Sequence, residues 1–405
     1  MLPEQYVRKA VEEYGWILGP RVRPEQYQPA SLDLRLGPYA YRLQSSFLPE
    51  DDRVMDRLAG SNMGRIDLRS GAILEKRRPY LIPLVEQLRL PKGVRARCNP
   101  RSSTGRLDIF TRTISDKSHR FDDIADGYSG QLFLEVVSRS FTIRVRSGLR
   151  LNQVRLIASP SRLSDDELLK TQSRNPILHE NGVPLPADSV TVSDGLFLSV
   201  ALEGDRAKRV GYVAKKNSRE LDLSKESAYL VEDFWDPVYP EKGNRLILEP
   251  EDFYLLISKE GVRIPPEFAA EMTAYDPTSG ELRTHYAGFF DPGFGHDPTG
   301  RHGTRAVMEV RAHDVAFMIE HGQKVCKLSF EKMYEPPNRL YGPDIGSAYQ
   351  GQIRTVSRHF RATSVEVRPL PLTDFEASAD KGSGVAVSED QLRMLASDDD
   401  SKGAD

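Results

Sequence analysis

The chain has 405 residues, long for one domain at roughly 100–200 residues each, so two cores and a tail are expected. With 39% hydrophobic and 28% charged residues, 30 Gly and 27 Pro, it reads as a turn-rich globular protein that folds unaided. Its 56 basic and 59 acidic residues leave a formal charge of -3, which excludes a general attraction to nucleic acid or membrane and makes any phosphate binding a local matter.

The start, MLPEQYVRKAVEEYGW, carries mixed charge without an apolar signal core, and no apolar run approaches the roughly 18 residues of a membrane span. A cytosolic protein is expected. Residues 4–16 have helical spacing through Tyr6, Val7, Ala10 and Val11. After them come short alternating apolar segments punctuated by Gly and Pro, at 31–37, 72–75, 80–85, 94–98, 131–137, 141–145 and 153–158. This pattern predicts a mainly β protein, a barrel or sandwich, with few short helices. The polar stretch 160–190 has linker character and puts the domain boundary near 189, giving units 1–188 and 189–370. Residues 371–405, ending MLASDDDSKGAD, are acidic and predict a disordered tail.

The second unit repeats the first. GAILEKRRPYLIPLVEQLRLPKGVRARCNP (71–100) parallels NRLILEPEDFYLLISKEGVRIPPEFAAEMTA (244–274), and Pro91 to Pro265 and Glu135 to Glu309 keep one register. A repeat of this length is a duplicated domain, not a solenoid unit of about 20–50 residues.

The two cysteines, Cys98 and Cys326, exclude a disulfide framework. The eight histidines show neither HxE with PCxxC nor HExxH, so no zinc is expected at a reacting centre. His296 and His302 flank HDPTGRH and read more readily as solvated loop histidines than as metal ligands.

The sharpest chemical signal is NPRSSTGRLDI (99–109). Arginine forks, hydroxyls and backbone N–H groups around a glycine, as in Arg101, Ser102, Ser103, Thr104, Gly105 and Arg106, make an anion cradle. Alone, such a segment reads more readily as an ordinary solvated turn. It is followed by DGYSGQLFLE (126–135), where Glu135 stands among Leu132, Phe133 and Leu134. A carboxylate in apolar sequence suits a proton shuttle with a raised pKa; it equally suits an ion pair with an arginine such as Arg106, and the two are compatible.

Together, QPASLDLRLG (28–37), NPRSSTGRLDI, GYSGQLFLE (127–135) and LRLNQVRLI (150–157) resemble the dCTP deaminases, relatives of the trimeric dUTPases. The second half resembles them through GFFDPGFG (288–295), Glu309, GQKVCKLSFE (322–331) and LYGPDIGSAYQGQIRTVSR (340–358). The resemblance implies two tandem dUTPase-like β-barrels of the β-clip type in a trimer-based homo-oligomer. It further implies Arg101, Ser102, Ser103 and Arg106 as cradle, Phe133 and Leu134 lending backbone to the base, and Glu135 as shuttle. Tyr341, Tyr349 and Gln352 match the family's tail contacts. Ala348 departs from the usual Lys, and the usual Asp three residues before the turn aromatic is Ala125, leaving Asp126 as the candidate.

The repeats have diverged in a complementary way. Where the first has RSSTGR, the second reads DPTSGE (276–281), whose Asp276 and Glu281 would repel a triphosphate. The tail survives only after the second. One shared site is therefore expected, the first half giving cradle and Glu135, the second the tail. The activity implied is metal-independent hydrolysis of dCTP to dUTP and ammonia, Glu135 deprotonating the water that attacks C4 while Arg106 holds both. Mg2+ would ride on the nucleotide, with dTTP or dUTP as regulators. The alternatives are dUTP diphosphatase activity, alone or added to deamination, and a non-catalytic nucleotide-binding regulator.

Overall fold

The structure, a computed structural model, describes residues 1–159, 161–205, 208–274, 282–284, 288–296, 303–312, 314–342, 345, 349 and 355–361. The tail 371–405, Gln352, Ala348, Asp276, Glu281 and His302 lie outside the described residues. Among the described residues no helix is long and apolar enough to cross a membrane.

The chain opens with the helix Glu4–Glu12, which buries Val7 and Ala10. It stops short of the expected residue 16 because Gly15 takes φ 60, a left-handed turn that lets the Trp16 N–H return to Ala10 O at 2.8 Å. Beyond it the chain is mainly β, as the alternating pattern requires. The first repeat packs two sheets. One runs Asn62–Asp67, Tyr39–Leu43, Tyr80–Arg89, Ser129–Ser138, Ile109–Ser115; the other runs Asp123–Ile124, Arg95–Pro100, Arg150–Ile157, Ser31–Arg35, Tyr27–Gln28. Leu32, Leu34, Ile82, Leu84, Leu132 and Leu134 meet in the core. All of Ser31–Arg35 is buried, since Ser31, Asp33 and Arg35, which alternate with Leu32 and Leu34, find polar partners in Gln153, Arg101 and Glu86.

The second repeat rebuilds this plan around the long pair Phe253–Val262 and Thr304–Ala312. Leu81 lies opposite Glu135 in the first repeat and Leu255 opposite Glu309 in the second, both residues shifted by the same number of positions. Duplication is thus written in the strand register.

The repeats share a core. Phe234 and Trp235 from the second half pack on Phe141 of the first, with Phe360 against Phe234, and Ile143 pairs in parallel with Leu221. Buried polar ties cross the same junction. Arg155 donates to Ala270 O at 3.0 Å, Phe290 O at 3.1 Å and Asp291 at 2.8 Å; Asn99 donates to Glu271 at 3.1 Å; Arg311 pairs with Asp108.

The stretch 160–190, expected as a linker ending near 189, instead forms the first layer of the second repeat. Ser164 and Glu167 close a capping box on the helix Asp165–Arg174. Leu163, Leu168, Ile177 and Leu178 enter the second core, and Leu178–Glu180 pairs with Phe253–Val262. Its polar composition reflects a short helix that buries only Leu168 and Gln172.

Candidate functional site between the two repeats

The strand Arg95–Pro100 runs into a single helical turn, Ser102–Gly105, with Arg101 in extended conformation at its start. Thr104 and Gly105 N–H both return to Arg101 O, at 2.8 and 3.0 Å. The Arg101 guanidinium lies 3.1 Å from Asp33, which also faces Arg150 at 3.5 Å. Burial raises the Asp33 pKa while Arg101 and Arg150 pull it down. The SLDLRLG segment thus supplies the counter-charge that orients the first cradle arginine.

The cradle opens toward the second repeat, not toward Glu135. Ser102, Gly105 and Arg106 line a cavity of about 50 Å3 together with Val307, Glu309 and Phe294. Glu309 lies so close to the turn that a Cβ added at Gly105 would stand 2.8 Å from its Cδ; glycine is required here for close approach. Burial pushes the Glu309 pKa well above the usual carboxylate range, the Arg106 charge draws it back, and Asp108 adds to the rise. Asp291 and Phe294 reach the cavity from the turn that Arg155 anchors.

The tail closes the site. The Arg106 guanidinium lies 3.8 Å from the Tyr349 ring centroid, a cation–π contact. Tyr341 packs on Phe294 at 5.6 Å, and Ser357 Oγ donates to Ser103 O at 2.9 Å. Cradle and tail, expected to meet across the repeats, do so within one chain.

Several expected residues lie elsewhere. Glu135 is fully buried but pairs with Arg112, whose Nη2 and Nε donate to one oxygen at 2.6 and 3.1 Å. Arg112 in turn lies 3.9 Å from the Phe121 ring centroid. The segment 44–61, with its helix Val54–Ala59, covers this region: Val54 and Leu58 pack on Phe133, and Ser46 accepts from Arg112 at 3.0 Å. The space beside Glu135, where a substrate was expected, is occupied by the protein itself. Arg106, expected as Glu135's partner, stands at Glu309. Leu134 points into the first core. Asp126 is exposed and accepts the Gly93 N–H at 3.0 Å, which makes it a turn residue. Ser103 and Thr104 face away from Glu309 into a second cavity.

Glu309, Asp291, Phe294 and Val307 line the cavity, and the sequence reading assigned none of them to the site. A signal existed: the Asp-x-x-aromatic spacing that fails at Ala125 is satisfied by Asp291 and Phe294.

If Arg101 receives the phosphates that the sequence resemblance implies, Arg101→Ala should weaken dCTP binding about 10- to 100-fold and leave deoxycytidine binding nearly unchanged, since a charge-assisted bond contributes roughly 1.5–3 kcal/mol. Isothermal titration with both ligands decides; equal weakening would make Arg101 purely structural.

Residues 1–160 match the family model of the 2'-deoxycytidine 5'-triphosphate deaminase (DCD) N-terminal domain, and residues 164–360 that of its C-terminal domain. A dCTP deaminase of Natronomonas pharaonis is 33% identical over 125 residues, 30% of this chain and 60% of that protein. The match thus spans less than two thirds of that relative. A dUMP-forming dCTP deaminase of Parafrankia sp. is 31% identical over 167 residues, 40% of this chain and 77% of that protein. The crystal structure of 2'-deoxycytidine 5'-triphosphate deaminase from Agrobacterium tumefaciens superposes with TM-score 0.79 and 43% identity, covering 85% of this chain and 98% of that one.

Proposed function

Because the chain belongs to the 2'-deoxycytidine 5'-triphosphate deaminase family, whose fold is of the dUTPase-like β type, we propose that it hydrolyses dCTP to dUTP and ammonia at the site between its repeats, with Glu309 as proton shuttle. The observation that carries this reading is the placement of a buried, pKa-raised carboxyl against the arginine cradle. Opposed pulls from burial and from Arg106 suit a group that must both take and return a proton.

The steps balance as follows. Water adds its oxygen to C4 while Glu309 takes one proton and delivers it to N3. The resulting C4 hydroxyl then loses its proton through Glu309 to the amino nitrogen, the C4–N bond breaks, ammonia leaves and the carbonyl remains. Arg106 holds the carboxyl and the attacking water, Phe294 packs on the sugar, and Arg101 and Ser102 receive the phosphates. The substrate is the Mg2+ complex of dCTP.

Incubation of the pure protein with dCTP and with dUTP separately, following ammonia and pyrophosphate, tests the assignment. Ammonia from dCTP without pyrophosphate is expected. Pyrophosphate from dUTP would favour the dUMP-forming chemistry named for the Parafrankia relative, and binding without either product would leave a regulatory nucleotide binder.

Activity is also expected to survive exhaustive zinc chelation at fixed magnesium. Cys98 and Cys326 lie in separate cores, where burial pushes both thiols up, and thiolates are what a zinc site needs. Loss of ammonia release that zinc restores would refute this.

A further inference from the structure

Behind the wall of the site lies a second layer of charge. Along Thr304–Ala312 the residues Ala306, Met308, Val310 and Ala312 enter the second core, so Val307, Glu309 and Arg311 face the first repeat. Arg311 pairs there with Asp108. Both side chains are almost wholly buried, and neither lines the cavity that holds Glu309.

The backbone ties this pair to the reacting carboxyl. Glu309 lies against Gly105, the Gly105 carbonyl accepts the Asp108 N–H at 2.8 Å, and the Asp108 carboxylate returns to Arg311, two residues beyond Glu309 on its strand. Asp108 takes φ 56, a left-handed conformation that aspartate tolerates better than most residues, and the Ser140 hydroxyl donates to its carboxylate at 2.5 Å. The fold itself does not demand a cation at 311. By the register that carries Glu135 to Glu309, Val137 holds this place in the first repeat. A buried ion pair is often no more stabilising than apolar residues of the same volume, and Arg311 Nε is buried with no hydrogen-bond partner among the described residues. Stability alone is a poor account of the pair.

The contrast between the two carboxyls supplies a better one. Glu135 has Arg112 at its oxygen and apolar Val137 two residues on, whereas the charges of both Arg106 and Asp108 act on Glu309. Of the other groups around Glu309, Asp291 is answered by Arg155 and Arg101 by Asp33. Tyr349 lies on Arg106, and burial holds the Tyr341 hydroxyl protonated. We propose that Asp108 and Arg311 form a positioning unit for the reaction: the Asp108 charge keeps Glu309 exchanging its proton instead of locked as the carboxylate partner of Arg106, and Arg311 fixes that charge in place. The kinetic consequence rests on Glu309 as proton shuttle; the effect on the Glu309 carboxyl does not.

The test uses the full chain and infrared difference titration, in which the protonated Glu309 carboxyl is the C=O band that Glu309→Gln lacks. In Asp108→Asn, where asparagine suits the left-handed turn, the midpoint of that band should fall by about one pH unit, the equivalent of a tenfold loss of proton affinity. The acid limb of kcat for dCTP should move down with it, because Glu309 must be ionised to take the proton of water. Asp108→Asn also strands Arg311, so stability should fall. Adding Arg311→Met removes the stranded charge, and chemical denaturation should show stability recovered while the midpoint stays low. A midpoint unmoved in both variants would overturn the proposal and leave the pair a tie between the repeats. A midpoint that falls while the acid limb stays in place, or with no ammonia released, would uphold the pair's hold on Glu309 and overturn the shuttle reading instead.

Discussion

Glu309→Gln is expected to fold, to bind dCTP and to lose turnover by about 10²–10⁴-fold, because the amide cannot take a proton from water. Glu135→Gln should keep turnover near wild type and instead lose stability. Its carboxylate is the fully buried partner of Arg112, so the change leaves that arginine poorly answered, at a cost of about 1–3 kcal/mol. The two variants therefore separate catalytic from structural carboxylates at equivalent strand positions. Comparable kinetic losses in both would mean two working sites per chain. Stability adds a second signature at residue 309. A carboxyl whose folded pKa is raised contributes stability that is present below its unfolded pKa and lost as pH rises through the folded value. Glutamine does not ionise, so the Tm of Glu309→Gln relative to wild type should increase as pH is raised from acid toward alkaline. A constant difference would indicate that the Glu309 pKa is not displaced.

Arg155→Met should produce the largest loss of stability, about 3–5 kcal/mol. Arg155 has 2% side-chain exposure and answers the buried Asp291, whose pKa burial already raises against its pull. It also lies 3.8 Å from the Phe289 ring centroid and ties two backbone carbonyls of the second repeat. Removing it strands a buried carboxylate and frees the turn that carries Asp291 and Phe294 into the site. Chemical denaturation should register the loss, and the dCTP KM should rise with it. Adding Asp291→Asn should recover part of the stability, because the stranded charge is gone, but none of the binding. Recovery of both would show that the pair serves packing alone.

What was legible in the sequence follows from how local each feature is. The strands at 31–35, 80–89 and 150–157 declare themselves by alternation, and the cradle by the residue types of one turn. The pairing of carboxylate with cradle is not local. Glu135 and Glu309 look alike along the chain, each in an apolar strand, and only the docking of the repeats determines which one meets Arg106. What surrounds the first position is equally distant: Arg112 arrives from the neighbouring strand and Val54 and Leu58 from residues 44–61, a stretch without strong periodicity. The polar linker reading failed for a related reason, since Gln172 is buried by accepting the Ile177 and Leu178 N–H groups, both at 3.0 Å, and a buried glutamine is indistinguishable from a solvated one in sequence. The shared core explains a further point. Val356 and Phe360 belong to the first core, so the closing segment is structural as well as functional, and its removal would unsettle the repeat whose cradle it covers.

The most direct test of a site shared by the repeats is the crystal structure of Glu309→Gln with Mg2+ and dCTP. Cytosine should lie against Val307 with C4 facing residue 309, Phe294 beside the sugar, and the phosphates on Arg101 and Ser102. A nucleotide held wholly within one repeat, or a base seated beside Glu135, would contradict the account.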